Sequence, residues 1–502
     1  MGTWDFRDSR WWKPEYVRKL VDTLDPANTI IFDYIADLPE SRENNFVNWG
    51  VVGRFPWMFG IFHAYEAHND LRGNYPTLAR RIPIAAADPM CKGLFYWPET
   101  SHSDILMLDY FPAMAWDPSD PDIGRFLAGF CRRRYGADKA ARMEGLWRRI
   151  LPALPADSWH LCIGSKPLYA DYPAPYANLR GATLCDFGDK RMRANRWNVQ
   201  QLSPHEAGLI ALLEDLSAFD WTTADGRATR DAIDLARSAE SRLLNLGLAR
   251  LALDLAERTR LGRRRAAALD ARIRRQAADL RKLLHGLADL LESSPEYSLN
   301  DSLAKMRASY ETNPDFERTL KENGDAPYCR AHVYEPIRRC AEETFRIVES
   351  QISSLLDTGD FSGWPGRKDA IDREIDAVHA AFKKRPLSAM APDVAAAAKR
   401  RPAALAAGAA AARRPAPPPD PARWVVLNED CNQFMARHTQ NSYDTPITRA
   451  TVNTYVDQWL KGPVTHYFVN INGQTVYYDS KVFDQQWQVH RLCIHRHLYV
   501  LL

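Results

Sequence analysis

Glu99 is the residue whose type and position point most directly to chemistry. It follows the apolar run Lys92–Trp97, from which Pro98 separates it. A glycosidase needs two carboxyl groups beside the scissile bond, one as the acid and one as the nucleophile or base. In barrel enzymes such groups lie at the carboxyl ends of strands. The sequence therefore makes Glu99 a candidate catalytic carboxylate, with an exposed loop glutamate as the alternative.

Other side chains near strand ends could contact a sugar. Trp97 offers a flat face for stacking. Asp37 follows the apolar run Thr29–Ile35, and His63 ends the run Pro56–His63. Carboxylate and imidazole groups can form hydrogen bonds with sugar hydroxyls. These three residues are therefore candidate substrate-binding groups.

These candidates depend on strands that end at a common edge. Three short runs are apolar on both faces and lie between turn signals, namely Thr29–Ile35, Pro56–His63 and Lys92–Trp97. Such runs are typical of buried parallel strands. Helical patterns between them indicate an α/β layer or barrel. Asp33 lies within the first run, and it or Asp37 could instead cap the turn that follows.

Residues 141–385 carry helical patterns. Asp231–Glu257, Ala267–Leu291 and Cys340–Leu356 each place apolar residues along one stripe, as the earlier segment Pro14–Leu24 does. Long helices of this kind predict a helical bundle. Their arginine-rich faces indicate solvated surfaces rather than polyanion sites.

Composition divides the chain into four predicted domains. These are an α/β region over 1–140, a helical domain over 141–385, an Ala/Arg/Pro-rich linker over 386–421 and a small α/β tail over 422–502. The linker has almost nothing to bury except alanine. The tail is short for an independent domain. Within the tail we predict a helix over Thr448–Leu460 and a strand over Val464–Ile471.

Charge and hydropathy indicate a globular protein and give no sign of a nucleic-acid-binding or membrane-spanning protein. The 502 residues are 46% apolar and 26% charged, which is ordinary for a globular protein. The formal net charge of +3 gives no reason to expect a nucleic-acid partner. No stretch approaches the roughly 18 apolar residues of a membrane span. The first residues lack the apolar core of a signal peptide, and the sequence does not determine the cellular compartment.

No cofactor or metal is expected from the motifs. The sequence has no Walker-type phosphate loop, no G-x-G-x-x-G after a strand and no G-x-S-x-G elbow. His490, Cys493, His495 and His497 are ligand-type residues near the end of the chain. Their spacing matches none of the usual zinc patterns, so we interpret them as a chance cluster.

The first two predicted domains resemble the α-N-acetylglucosaminidases, glycoside hydrolase family 89. The resemblance spans about residues 1–350 and is most specific where Pro98-Glu99 is followed by Trp116, seventeen positions after Glu99. Further pieces that carry it are Gly2-Thr3-Trp4, Trp11–Val17, Ile30–Asp37, Pro56–His63, Phe130–Gly136 and Leu283–Leu303.

The resemblance implies a partial (β/α)8 barrel of about strands five to eight, followed by a helical domain. It implies that Glu99 is the nucleophile of a retaining enzyme that removes terminal α-linked N-acetylglucosamine from glycans. Retaining enzymes hold two carboxyl groups about 5–5.5 Å apart and form a glycosyl-enzyme. Trp4, Asp37 and His63 would then contact the sugar beside the stacking face of Trp97. Complete family members are lysosomal, periplasmic or secreted.

The sequence also departs from the family pattern. The family's general acid lies upstream of its fifth strand, where this chain begins, so that acid and strands one to four are expected to be missing. The loop after His63 differs from the family's Asn and Gly-rich turn. A non-catalytic carbohydrate-binding or scaffold fragment is therefore the alternative function. The tail either begins a second, misjoined protein, which we favour, or folds back to supply a strand to the half-barrel.

Overall fold

The structure is a computed structural model that describes most of residues 1–393 and three strands beyond them. The described residues are 3, 6, 11–33, 36–37, 45–63, 71–98, 104–155, 189–217, 219, 226–261, 266–309, 315–324, 333–359, 364–393, 424–430, 466–471 and 498–501. The chain forms two compact units. The first comprises Met1–Tyr65, Gly73–Phe130 and Arg413–Leu502, and the second comprises Glu66–Arg72 and Cys131–Ala412.

The first unit is built on a sheet in which strands alternate with helices. The described strands are β1 (Ile31–Asp33), β2 (Trp57–His63), β3 (Cys91–Pro98), β4 (Trp424–Asp430), β5 (His466–Ile471) and β6 (Leu498–Leu501). They lie in this order, with β1 to β5 parallel and β6 antiparallel to β5. The helices are α1 (Pro14–Val21), α2 (Phe46–Trp49), α3 (Tyr75–Ala87), α4 (Ile105–Trp116) and α5 (Ile123–Tyr135), the last of which crosses the boundary between units.

Aromatic packing explains why β2 is apolar on both faces. Six of its seven residues are buried. The Phe46 ring stacks on Trp57 with 4.5 Å between ring centroids, and Phe59 packs against Phe111 at 6.1 Å. The buried Trp57 indole donates a 2.7 Å hydrogen bond to Asp88 Oδ2, so its one polar atom has a partner. Strands covered on both faces lose the alternation of polar and apolar residues, as the sequence predicts.

The prediction of an α/β region followed by helices is confirmed. Each of the three predicted amino-terminal strands is present, within two residues of its predicted ends. The helix predicted over Pro14–Leu24 ends earlier, at Val21. Among the described strands, the pairings form an open series from β1 to β6. Closure into a barrel therefore stays a prediction.

The carboxy-terminal strands extend the amino-terminal sheet. β4 pairs in parallel with β3, from Gly93 opposite Trp424 to Tyr96 opposite Leu427. This pairing agrees with a tail that folds back to supply strands to the sheet. The sequence favours the other interpretation, a misjoined second protein. The predicted helix Thr448–Leu460, most of the linker 386–421 and the His/Cys cluster of residues 490–497 lie outside the described residues.

The second unit is helical. Its helices are α6 (Ala137–Ile150), α7 (Asp189–Leu202), α8 (Glu206–Ser217), α9 (Gly226–Arg258), α10 (Ala267–Glu292), α11 (Leu299–Ser309), α12 (Phe316–Gly324), α13 (Tyr334–Pro336), α14 (Glu342–Thr358) and α15 (Trp364–Lys384). The helix predicted over Cys340–Leu356 corresponds to α14. A π-helical turn over Ile337–Ala341, which includes Cys340, directly precedes α14. No described helix is both long enough and apolar enough to span a membrane.

The long helix α9 is buried on nearly all sides, so its charged residues need partners inside the unit. Arg237 Nε donates a 2.6 Å hydrogen bond to Asp234 Oδ1, and the Tyr297 hydroxyl donates to the same oxygen at 2.6 Å. Burial alone would raise the pKa of Asp234, but Arg237 and Arg230 outweigh it and hold that pKa below its usual value. The carboxylate is therefore ionised and stabilises the packing of α9.

Glu240, also on α9, has the opposite environment. Its Oε2 is buried and has no hydrogen-bond partner among the described residues. Burial raises the pKa of Glu240 from 4.5 to about 8. Because the folded state binds the proton more tightly than the unfolded state, this group favours folding below about pH 4.5, and that contribution is lost as the pH rises towards 8.

We expect Glu240→Gln to become more stable relative to the wild type as the pH rises from about 5 to about 8. The gain should be at most roughly 1.4 kcal/mol per pH unit. Urea unfolding followed by far-ultraviolet circular dichroism at both pH values measures it. Glu343→Gln is the matched control, because that carboxylate is half-exposed and paired with Arg346 at 2.8 Å. An equal pH dependence in both variants would contradict the assignment.

Candidate functional site

The candidate site lies at the carboxyl ends of β1, β2 and β3. His63, the last residue of β2, is the register partner of Pro98, the last residue of β3. Asp33 ends β1 opposite Phe59 of β2. Parallel pairing brings these strand ends to one edge of the sheet, which is where ligands bind in open and closed α/β sheets.

A buried His–Asp pair is the central feature of this edge. Nε2 of His63 lies 3.1 Å from Oδ2 of Asp104, and the side chains are only 3% and 0% exposed. Oδ1 of Asp104 accepts a 3.1 Å hydrogen bond from Met107 N in the first turn of α4. One carboxylate therefore holds both the start of α4 and the imidazole at the end of β2.

The backbone of Asp104 is unusual. Its φ of 55° is left-handed, and it is the one non-glycine residue with a positive φ among the described residues. Aspartate tolerates this conformation better than most residues, because its short side chain can bond to nearby backbone. The bonds to Met107 N and His63 hold it there.

Two buried tyrosines surround the pair. The Tyr75 and Tyr96 hydroxyls have no hydrogen-bond partner among the described residues. The Tyr96 ring lies 5.7 Å from the His63 ring, measured between centroids. Burial, with a smaller effect of the Asp104 carboxylate, raises the pKa of both tyrosines well above its usual value. Both hydroxyls are therefore neutral, and the Asp104 carboxylate lies among buried side chains.

Close packing around Tyr75 requires a glycine. Gly73 has a φ of +153°, and a Cβ atom built on it would lie 2.6 Å from Met107 Cε and 2.7 Å from Tyr75 Cε2. A larger residue would force the Tyr75 ring and the end of the Met107 side chain to move.

Asp37 lies after β1 and is held through its backbone. Asn74 Nδ2 donates a 2.8 Å hydrogen bond to Asp37 O, and the buried Arg81 guanidinium donates to Ala36 O. The Asp37 side chain is 8% exposed. The structure thus brings Asp37 to the edge that also holds His63, and both residues stay candidate substrate contacts.

Asp33 has a structural contact that the sequence only partly predicts. Its Oδ2 accepts a 2.7 Å hydrogen bond from Phe46 N, the first residue of α2. The neighbouring Asn45 caps the same helix, since its Oδ1 accepts from Val47 N at 3.0 Å. Asp33 therefore anchors the start of α2.

Trp97 is largely buried, with 8% of its surface exposed. Its ring packs edge-on against Phe62 at 6.2 Å and Phe95 at 5.7 Å. A role for Trp97 in stacking on a sugar stays a prediction. Glu99 and Trp4 both lie outside the described residues.

Asp104 and Tyr75 form the part of the edge that the sequence analysis missed. A signal for Asp104 is present, because Asp is a preferred N-cap and Asp104 directly precedes the apolar run Ile105–Leu108. The contact with His63 has no local signal. No cluster of three or more His, Cys, Asp or Glu side chains suited to a metal ion occurs among the residues that the structure describes.

Comparison with known families finds a match in the part of the chain that contains the candidate site. The family model of the alpha-N-acetylglucosaminidase tim-barrel domain matches residues 1–118. The resemblance to this family is thereby confirmed over those residues, which include β1 to β3 and α4. The match indicates similarity to a glycosidase family, whose substrates are glycans. No curated protein matches the chain.

We expect Asp33→Ala to lower the free energy of unfolding of the first unit by about 1–2 kcal/mol, because Phe46 N would lose its buried acceptor. Urea unfolding monitored by tryptophan fluorescence tests this, since Trp57 stacks on Phe46. Asp25→Ala is the control. Asp25 also accepts a backbone hydrogen bond, from Ala27 N at 2.9 Å, but is exposed. Equal losses in both variants would contradict a specific role for Asp33.

Proposed function

We propose that the chain is a retaining glycoside hydrolase of family 89 type that removes terminal non-reducing α-linked N-acetylglucosamine from glycans. The observation that carries this proposal is the family match over residues 1–118. It is supported by the sequence position of Glu99, directly after the last residue of β3, whose register partner is the strand-end His63.

Glu99 acts as the nucleophile in this proposal. Its carboxylate attacks the anomeric carbon, an ester bond to the sugar forms, and the bond to the leaving oxygen breaks. Water then attacks the same carbon, which releases the sugar and restores the carboxylate. The general acid is not assigned to a residue of this chain.

Substrate binding in this proposal involves four residues. Asp37 and His63 form hydrogen bonds with sugar hydroxyls at the ends of β1 and β2, and Trp4 and Trp97 contact the sugar ring. Both residues are buried except for a small exposed fraction, and in such surroundings a hydrogen bond to a sugar hydroxyl would be stronger than one at the open surface.

We expect the full chain to release fluoride from α-N-acetylglucosaminyl fluoride. Fluoride leaves without protonation, so the assay reports on the nucleophile even where an acid is lacking. Glu99→Gln should reduce the rate by about 10³-fold or more, because an amide cannot form the glycosyl ester.

Glu15→Gln is the matched control, because Glu15 is an exposed glutamate on α1. It should keep the wild-type rate. Circular dichroism establishes that each variant is folded. A folded wild-type chain that releases no fluoride would contradict the catalytic proposal and favour a carbohydrate-binding fragment.

A further inference from the structure

We propose that Asp104 is a positioning residue that fixes His63 as the Nε2–H tautomer, which leaves Nδ1 as a hydrogen-bond acceptor for a sugar hydroxyl. The inference rests on the proposed function for the identity of the ligand. The tautomer itself follows from the contact between His63 Nε2 and Asp104 Oδ2 at 3.1 Å.

The first step of the argument is the chemistry of the carboxylate. An ionised carboxylate can only accept hydrogen bonds. Oδ1 of Asp104 is occupied by Met107 N at 3.1 Å, and Oδ2 faces the imidazole. Nε2 of His63 must therefore carry the proton, and in a neutral ring the other nitrogen is then an acceptor.

The second step concerns the strength of this preference. The two side chains are 3% and 0% exposed. Tyr75 and Tyr96, whose rings are buried nearby, have hydroxyls without partners among the described residues. At this degree of burial a hydrogen bond to a charged group is stronger than in water, and a mismatched pair of donors or acceptors costs more. The environment therefore selects one tautomer.

The third step is position. His63 is the register partner of Pro98 and so lies beside the residue that precedes Glu99 in the chain. Asp104 is the N-cap of α4, which starts six positions after Glu99. The same carboxylate thus ties the end of β2 to the start of the helix that follows β3. The His63 ring therefore cannot rotate without breaking its hydrogen bond to Asp104.

The variant Asp104→Asn separates the proposed role from a merely structural one. Asparagine is an equally good N-cap and also tolerates a left-handed backbone, and its Oδ1 can still accept from Met107 N. The group facing His63 becomes an amide NH₂, which can only donate. We therefore expect the variant to fold and His63 to change to the Nδ1–H tautomer.

The measurement is a long-range ¹H–¹⁵N spectrum of the full chain labelled with ¹⁵N-histidine, at about pH 8, with the His63 signals assigned from their loss in His63→Gln. The wild type should show the Nε2–H pattern and Asp104→Asn the Nδ1–H pattern. A wild-type His63 that is Nδ1–H or doubly protonated would overturn the proposal, even if Asp104→Asn fails to fold. An unchanged tautomer in a folded Asp104→Asn would also overturn it.

Activity provides a separate readout. With α-N-acetylglucosaminyl fluoride, kcat/KM of Asp104→Asn should fall about tenfold, the loss of roughly one hydrogen bond to the sugar. Asp25→Asn, an exposed aspartate in the same unit, should keep the wild-type value. A change of tautomer without any change in kcat/KM would overturn the role of Nδ1 in binding. A wild type without activity but with the expected tautomers would instead reject the proposed function and leave the pairing of His63 with Asp104 in place.

Discussion

Parallel pairing of β1, β2 and β3 is the constraint on which the candidate site depends. Parallel strands run in the same direction, so their carboxyl ends lie at the same edge of the sheet. The registers align His63 with Pro98 at this edge, and Asp33, the last residue of β1, lies opposite Phe59, four residues before the end of β2. The helices that follow each strand then begin at the same edge. Asp33 and Asp104 use this geometry, since each accepts a hydrogen bond from the start of a helix.

Burial and hydrogen-bond partners together determine which of the buried carboxyl groups are charged. A buried charge is stable only where partners satisfy it. Asp104 meets this condition through Met107 N and His63, and Asp234 in the second unit meets it through Arg237 and Tyr297. Glu240 lacks such partners among the described residues, and its pKa is raised to about 8. The contrast shows that Asp104 and its imidazole form a fixed pair, whereas Glu240 favours its neutral form.

The sequence predicts local elements well and tertiary contacts poorly. The runs that became β2 and β3 are apolar on both faces, so their type and ends follow from composition. Helix α9 extends five residues before its predicted start, at Gly226. The pairing of β4 with β3 joins segments more than three hundred residues apart, and no local pattern encodes it. The sequence offers Asp33 as a turn cap, whereas its contact with Phe46 N at the start of α2 arises from tertiary packing and has no local signal.

Covalent trapping tests the central claim most directly. An α-N-acetylglucosaminyl fluoride with a second fluorine at C5 slows hydrolysis of the glycosyl-enzyme, so the intermediate accumulates. Intact-mass analysis followed by peptide mapping locates the sugar. The account predicts one adduct, on the peptide that contains Glu99, and none in Glu99→Gln. A folded chain labelled on a different carboxylate would contradict it, as would fluoride release with no adduct on Glu99.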